Sequence, residues 1–451
     1  MTDRSQTRWL PGAVCAVLAV IHSTARAGPS DRPALAAEQM QEDLQYLRDT
    51  WAQKDKSFSS ENRAVFKTVV NATLARTHEL TPAEFSLEVA RAVALSGNGH
   101  TNADLGPYLH ALPFKAVWFE EGLYVVRTHP AYRELLGARV DRFGGLSAED
   151  CLKRLIPYLS GTPEHIRALS PGYLRQLEIL RQLGATAAVD QVELRFTLAD
   201  GRKKVMTMSE EPSSDPEGLP PYQQLIRLES DGDPPGRWPH VLDGIASIPT
   251  AFQRRMDLTS EWIGEGRETF YIKSDQVRQP PLGTRDPFEV ILQWKPRTVV
   301  LDLRFNSGGD FTKSVQFCEA LPRVLPKAKI FVLVGPGTFS AALVTAALLK
   351  ANGGDRVVLV GETMGDRPQF WAEGAQLELP NSHISVSFAT AYEDWSNGCD
   401  DISRCFWLNV VYGRKHVSLR PEIHVTTSFK DYRVGRDQVL EAAVRAAHAR
   451  R

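Results

Sequence analysis

The sequence predicts an α/β protein whose C-terminal half carries a mostly parallel sheet. Three near-continuous apolar runs, at 298–303, 330–334 and 357–360, have the character of strands buried on both faces. Helical spacing separates them, at 313–321 and 341–351. That strand–helix alternation implies right-handed crossovers and parallel neighbours.

The chain has 451 residues, more than one ordinary core accommodates, so several domains are expected. Hydrophobic residues make up 43% and charged residues 24%, an ordinary globular composition. The formal net charge of −1 supports no nucleic-acid or anionic-membrane partner.

The first segment reads as an address. Arg4 and Arg8 precede an apolar run at 10–21, and Ala25-Arg26-Ala27 follows. This is the layout of a secretory signal peptide, residues 1–27, cut before Gly28. The run is short of the roughly 20 residues a membrane span needs. Val14, ahead of Cys15, is not the small residue a lipoprotein anchor requires. An exported protein without a membrane anchor, periplasmic or extracellular, is therefore expected. Of the remaining cysteines, Cys399 and Cys405 lie in one polar loop and are expected to form a disulfide in an oxidising compartment. No second ligand pair at zinc spacing lies nearby, so no metal is expected. Cys151 and Cys318 fall on apolar helical faces and read as buried thiols.

Residues 28–105 read as a helical N-terminal region. Thr81-Pro82-Ala83-Glu84 is a helix start, and Ser96-Gly97-Asn98-Gly99 is a glycine-rich stop directly before His100. Residues 106–208 carry a strand at 122–126, a strand into a glycine turn at 137–145, a helix opened by Ser147, and a hairpin turning at Asp200-Gly201. That order resembles a divergent PDZ-like module, without an evident glycine-rich carboxylate-binding loop. Residues 209–240 are rich in Pro, Asp, Glu and Gly and read as a linker or lid. The α/β core occupies 241–451.

Two strand ends carry chemistry. Ser340 follows a buried strand and a Gly/Pro turn and opens an apolar helix, where backbone N–H groups suit a developing oxyanion. The same position also suits a helix cap. Gly308-Gly309 follows the preceding strand and leaves backbone N–H groups uncovered. Asp302 and Arg304 read as a structural ion pair. His100, taken alone, reads as a cap at a glycine-rich helix end.

In order and spacing, "VVLDLRFNSGGD", "VLVGPGTFSAA" and "VVLVGETMGDR" resemble the core of the tail-specific (C-terminal processing) serine proteases. "SGNGHTNADL" resembles the signature of that family's histidine-base branch, which includes tricorn and chlamydial protease-like factor. The resemblance implies a ClpP/crotonase-like protease core acting on protein or peptide substrates without a cofactor. It places the nucleophile on Ser340, the oxyanion hole on the N–H groups of Gly308 and Ala341, and the base on His100. The lysine used by the other branch is missing, and Asp366 or Arg367 stands in its place. The third residue is not settled by the resemblance. Glu393, Asp394, Asp400 and Asp401 are open, with Asp394 preferred for its aromatic neighbours in "AYEDW". An inactive binding or scaffold protein on the same fold, or a non-peptide hydrolase, is the alternative.

Edman sequencing of protein taken from an extracytoplasmic fraction should begin at or beside Gly28. Intact Met1 there would overturn the cleaved signal.

Overall fold

The structure is a computed structural model that describes residues 35–105, 109–209, 226–228, 237–253, 258–264, 266–278, 286–414 and 416–449. The expected signal peptide and most of the expected linker lie outside the described residues.

Helices α1 (Ala37–Tyr46), α2 (Ser60–Leu74) and α3 (Pro82–Ala94) open the described chain. α3 starts where the sequence says it should: Thr81 Oγ1 accepts from Glu84 N, and the Glu84 side chain returns the bond to Thr81 N. It ends at Leu95, and Gly97 takes φ +63°, which releases the chain toward His100.

An antiparallel sheet follows. It comprises β1 (Phe114–Phe119), β2 (Gly122–Thr128), β3 (Arg139–Phe143), β4 (Leu146–Ser147), β5 (Gln191–Thr197) and β6 (Lys203–Ser209), ordered β1-β2-β3-β5-β6 with β4 on β3. Helices α4 (Ala148–Leu155), α5 (Pro163–Leu174) and α6 (Leu177–Gln182) lie between β4 and β5. Ser147 caps α4 as its position suggested. The N-terminal helices and this sheet share one continuous apolar core, from Leu35 and Trp51 to Phe196 and Met208.

The second sheet contains β7 (Leu258–Ile263) and β8 (Thr269–Ser274), then α7 (Pro287–Trp294), β9 (Thr298–Asp302), α8 (Thr312–Val324), β10 (Lys329–Val334), α9 (Ala341–Gly353) and β11 (Val357–Gly361). Two short antiparallel pairs come next: β12 (Gln369–Ala372) with β15 (Ala391–Asp394), and β13 (Ala375–Glu378) with β14 (Ser385–Phe388). Helix α10 (Trp407–Tyr412), β16 (Ile423–His424), α11 (Phe429–Tyr432) and α12 (Gln438–Ala449) complete the chain. The order across the sheet is β16-β11-β10-β9-β8-β7, parallel except for the β7–β8 pair.

Strands β9 and β11 are buried along their whole length, and β10 from Ile330 onward, which is why they read as apolar runs without alternation. α9 is buried from Ala341 to Leu349, as expected of a helix that is apolar all round. Each fully covered Val, Leu or Ile contributes about 1.5–3 kcal/mol. The hairpin β13–β14 leaves this layer. Its Leu379, Ile384 and Val386 join the core of the N-terminal unit. That insertion draws the segment after α3 toward the sheet edge.

Arg304 is buried and holds Asp302 and Asp437 together, with N···O distances of 2.6 and 2.7 Å. The expected Asp302–Arg304 pair is thus a triad that also fastens the start of α12. Burial works to raise Asp302, but the Arg304 guanidinium holds its carboxyl below the ordinary range.

Cys399 and Cys405 are bonded to each other, while Cys151 and Cys318 are free and buried. Burial pushes the Cys151 thiol up to about 12, which leaves it unreactive. Replacing Cys399 and Cys405 by Ser should lower stability by about 2 kcal/mol on the chain-entropy account of a short loop. Chemical denaturation checks the magnitude. Recovery of both residues as free thiols in non-reducing peptide maps would refute the pairing.

Candidate active site

Ser340, Gly308 and Asp366 each follow the carboxyl end of one of three adjacent parallel strands, β10, β9 and β11. Ligands of open α/β sheets bind at that edge.

Ser340 is the first residue before α9 and takes φ +54°, ψ −127°. A non-glycine residue pays for such a conformation, and it persists only where the surroundings hold it. Here they do. Thr338 Oγ1 donates to Leu303 O and accepts from Gly335 N. Phe339 N donates to Asn306 O, and Gly365 N to Thr338 O. The Ser340 hydroxyl makes no capping bond to α9 and has no hydrogen-bond partner among the described residues. The sharp strand-to-helix turn presents the side chain without using it structurally, as nucleophile turns do.

Gly308 packs directly on Ser340. A Cβ there would stand 2.7 Å from Ser340 Cβ and 3.1 Å from Ala341 N. Only glycine allows that approach, and φ +110° favours it as well. The Gly308 N–H donates to Asn306 Oδ1 at 2.9 Å. Asn306, fully buried, in turn donates to Ser274 O and Ser274 Oγ.

His100 arrives from the N-terminal unit, 240 residues before Ser340. Its segment is stitched to the C-terminal strands. Asn98 Nδ2 donates to Trp371 O, and Trp371 N donates to Asn98 Oδ1. Ser387 Oγ donates to His100 O and accepts from Asn102 N. The imidazole lies between Phe339 and Phe370, with centroids 4.7 and 5.0 Å away. Its Nε2 is 2.9 Å from Asp366 Oδ2. The same oxygen accepts a long bond, 3.4 Å, from Ser340 N, and Asp366 Oδ1 accepts from Arg367 N.

Asp366 is therefore the carboxylate beside His100. The expectation of Asp394 is corrected. Asp394 Oδ1 accepts from Ser396 N, Ser396 Oγ, Asn397 N and Gln369 Nε2, and no bond joins it to His100 among the described residues. The acids that the sequence offers, Glu393, Asp394, Asp400 and Asp401, lie downstream, in β15 and the loop after it. Asp366 stands where the other branch has its lysine, and a carboxylate cannot serve as that base. As the histidine's partner it needs no basicity.

Two further titratable groups crowd the site. His165 stacks on the other face of Phe339 at 4.5 Å, and burial pushes it down to about 4. Glu393 is buried and accepts from Trp395 Nε1. Burial pushes it up to about 8. The Trp395 bond opposes that rise, and the charges of Glu373 and Asp366 add to it. Among the described residues no group of three side chains could hold a metal ion. No helix there is long and apolar enough to cross a membrane.

No protein-family model matches this chain, and no curated protein matches it in sequence. Solved structures do match. Mature CPAF complexed with lactacystin superposes with a TM-score of 0.58 at 13% identity, over 92% of this chain and 98% of that one. Mature CPAF gives 0.55 at 12%, over 91% and 96%. The photosystem II D1 C-terminal processing protease gives 0.36 at 12%, over 89% and 98%. The neighbours are members of the tail-specific protease family, and what the chain shares with CPAF at these identities is the fold.

Glu393 sets a stability test. Its folded pKa is raised, so its contribution is present below the unfolded value, near 4.3, and is lost as pH rises toward about 8. Glu393→Gln keeps the acceptor for Trp395 and removes the titration. The melting temperature of the variant relative to the parent should climb between pH 5 and pH 8, by an amount equivalent to a few kcal/mol. A pH-independent difference would contradict the assignment.

Proposed function

We propose that this chain is an exported serine endopeptidase in which Ser340 attacks the peptide carbonyl and His100 takes the hydroxyl proton. The observation that supports it most is the strained, unbonded Ser340 beside a buried Asp366 whose one oxygen also holds His100. An ionised carboxylate only accepts, so His100 Nε2 donates to Asp366 and the lone pair lies on Nδ1. The Ser340 hydroxyl is not bonded to His100 in this conformation, so the two have to close on one another before Nδ1 takes the serine proton and returns it to the leaving amine. Asp366 holds the tautomer and stabilises the imidazolium that forms.

The oxyanion is assigned to the N–H groups of Ala341 and Gly308. Gly308 N–H is taken by Asn306 Oδ1 in this conformation, so substrate has to displace or share that bond. Export, with mature protein in the periplasm or outside the cell, is proposed from the N-terminal signal and agrees with the Cys399–Cys405 bond. A catalytically inactive binding protein on the same fold is the second reading, and the engaged Gly308 N–H is the observation that favours it.

A fluorophosphonate probe should label Ser340 in the parent and not in Ser340→Ala. Ser340→Ala should abolish peptide hydrolysis, and His100→Ala should lower it by at least about 10³-fold. The double variant should be little worse than either single one, because the two residues act as one unit. Full activity in a folded His100→Ala protein would refute the base. An unlabelled, inactive parent would favour the binding reading.

A further inference from the structure

Four rings follow one another at the site: Phe370, His100, Phe339 and His165. Successive centroids are 5.0, 4.7 and 4.5 Å apart, and neighbouring planes differ by 14°, 31° and 22°. Phe339 directly precedes Ser340, so its ring links the serine turn to the imidazole of the proposed base. His165 comes from elsewhere, from the first turn of α5 in the antiparallel-sheet unit.

Specific contacts bring His165 there. Thr162, the cap of α5, accepts from His165 N at 3.0 Å and donates to Gly365 O at 2.7 Å, one residue before Asp366. Gly161 and Gly99 leave room for the rings. A Cβ on Gly161 would stand 2.9 Å from His165 Cδ2 and 3.3 Å from Gly99 Cα. A Cβ on Gly99 would stand 2.9 Å from Phe339 Cζ. Among the described residues the His165 ring nitrogens have no hydrogen-bond partner. Burial pushes the ring's pKa down to about 4, so it is neutral near neutral pH. What it offers Phe339 is a flat face.

One hydrogen bond to Asp366 leaves His100 free to turn about that bond. The proposed proton transfer needs the ring plane fixed, because Nδ1 has to face Ser340 while Nε2 faces the carboxylate. Phe339 and Phe370 restrict the turn. Phe339 does so only while its own ring is backed, and His165 and Gly99 back it.

We propose that His165 is a positioning residue that acts through Phe339, holding that ring against His100 and so aligning the proposed base with Ser340. This rests on the peptidase reading.

Peptide hydrolysis by the full chain and its His165→Ala, His165→Asn and His165→Phe variants tests it, each verified as folded by circular dichroism and thermal melting. Asparagine keeps polar atoms and loses the ring. Phenylalanine keeps the ring and loses the nitrogens. His165→Ala and His165→Asn should lower kcat about 10- to 100-fold, the loss expected of a misaligned catalytic pair. KM should stay within about twofold, since the contact is not made to substrate. His165→Phe should keep kcat within about threefold of the parent, because the stacking face is retained. In a His100→Ala background, His165→Ala should change the residual rate by less than about twofold, because nothing is left to align.

An undiminished kcat in His165→Ala, equal losses in the Phe and Ala variants, a loss confined to KM, or a full loss in the His100→Ala background overturns the proposal and leaves the peptidase reading standing. If the parent neither hydrolyses peptides nor takes a fluorophosphonate label, that reading fails. Nuclear magnetic resonance of protein carrying isotope-labelled histidine then decides the positioning role alone. The His100 Nε2–H signal, assigned by its loss in His100→Ala, should persist in the parent and in His165→Phe and broaden in His165→Ala. A signal absent from the parent, or unchanged in His165→Ala, overturns the role.

Discussion

One oxygen of Asp366 organises the candidate site. It lies within bonding reach of His100 Nε2 and of the Ser340 backbone, and so joins a segment from the N-terminal helices to the turn that opens α9. A buried carboxylate must be supplied with donors, because leaving it unpaired costs several kcal/mol. That requirement fixes the separation of the two elements more tightly than apolar packing alone would. In the proposed mechanism it also sets the imidazole tautomer, since an ionised carboxylate offers only lone pairs to the ring.

The supports of the site lie deep in the molecule. Arg304 ties the end of β9 to α12 through Asp302 and Asp437, and the turn that carries Gly308 leaves from that anchor. Thr338 and Phe339 hang the Ser340 turn on the same β9 segment. The unfavourable backbone of Ser340 is therefore held by bonds on both sides. A conformation that costs about 1–3 kcal/mol in isolation becomes part of a stable fold.

Electrostatic isolation follows from burial. His165 is pushed down to about 4 and Glu393 up to about 8, so both stay neutral between those values. Neither then competes with Asp366 for the imidazolium that the proposed proton transfer creates. Phe339 and Phe370 pack against the imidazole and limit its contact with solvent.

The amino-acid sequence by itself determined the sheet and the edge where the candidate site lies. Strands β9, β10 and β11 were legible because a strand covered on both faces must be apolar throughout, and Ser340 and Gly308 were legible because turns after such strands lie at one edge. The Thr81–Glu84 cap and the Ser147 cap were readable for the same local reason, since their bonds close within three residues. Tertiary structure alone decided the partner of His100. Asp366 stands 266 residues away, and no spacing rule spans that distance. Asp394 had the more suggestive sequence neighbours, yet its carboxylate is consumed by its own loop. Periodicity and turn chemistry act over a few residues. Which buried acid meets which base depends on how two units of the chain close on one another, here through a hairpin, β13–β14, that leaves one core to enter the other.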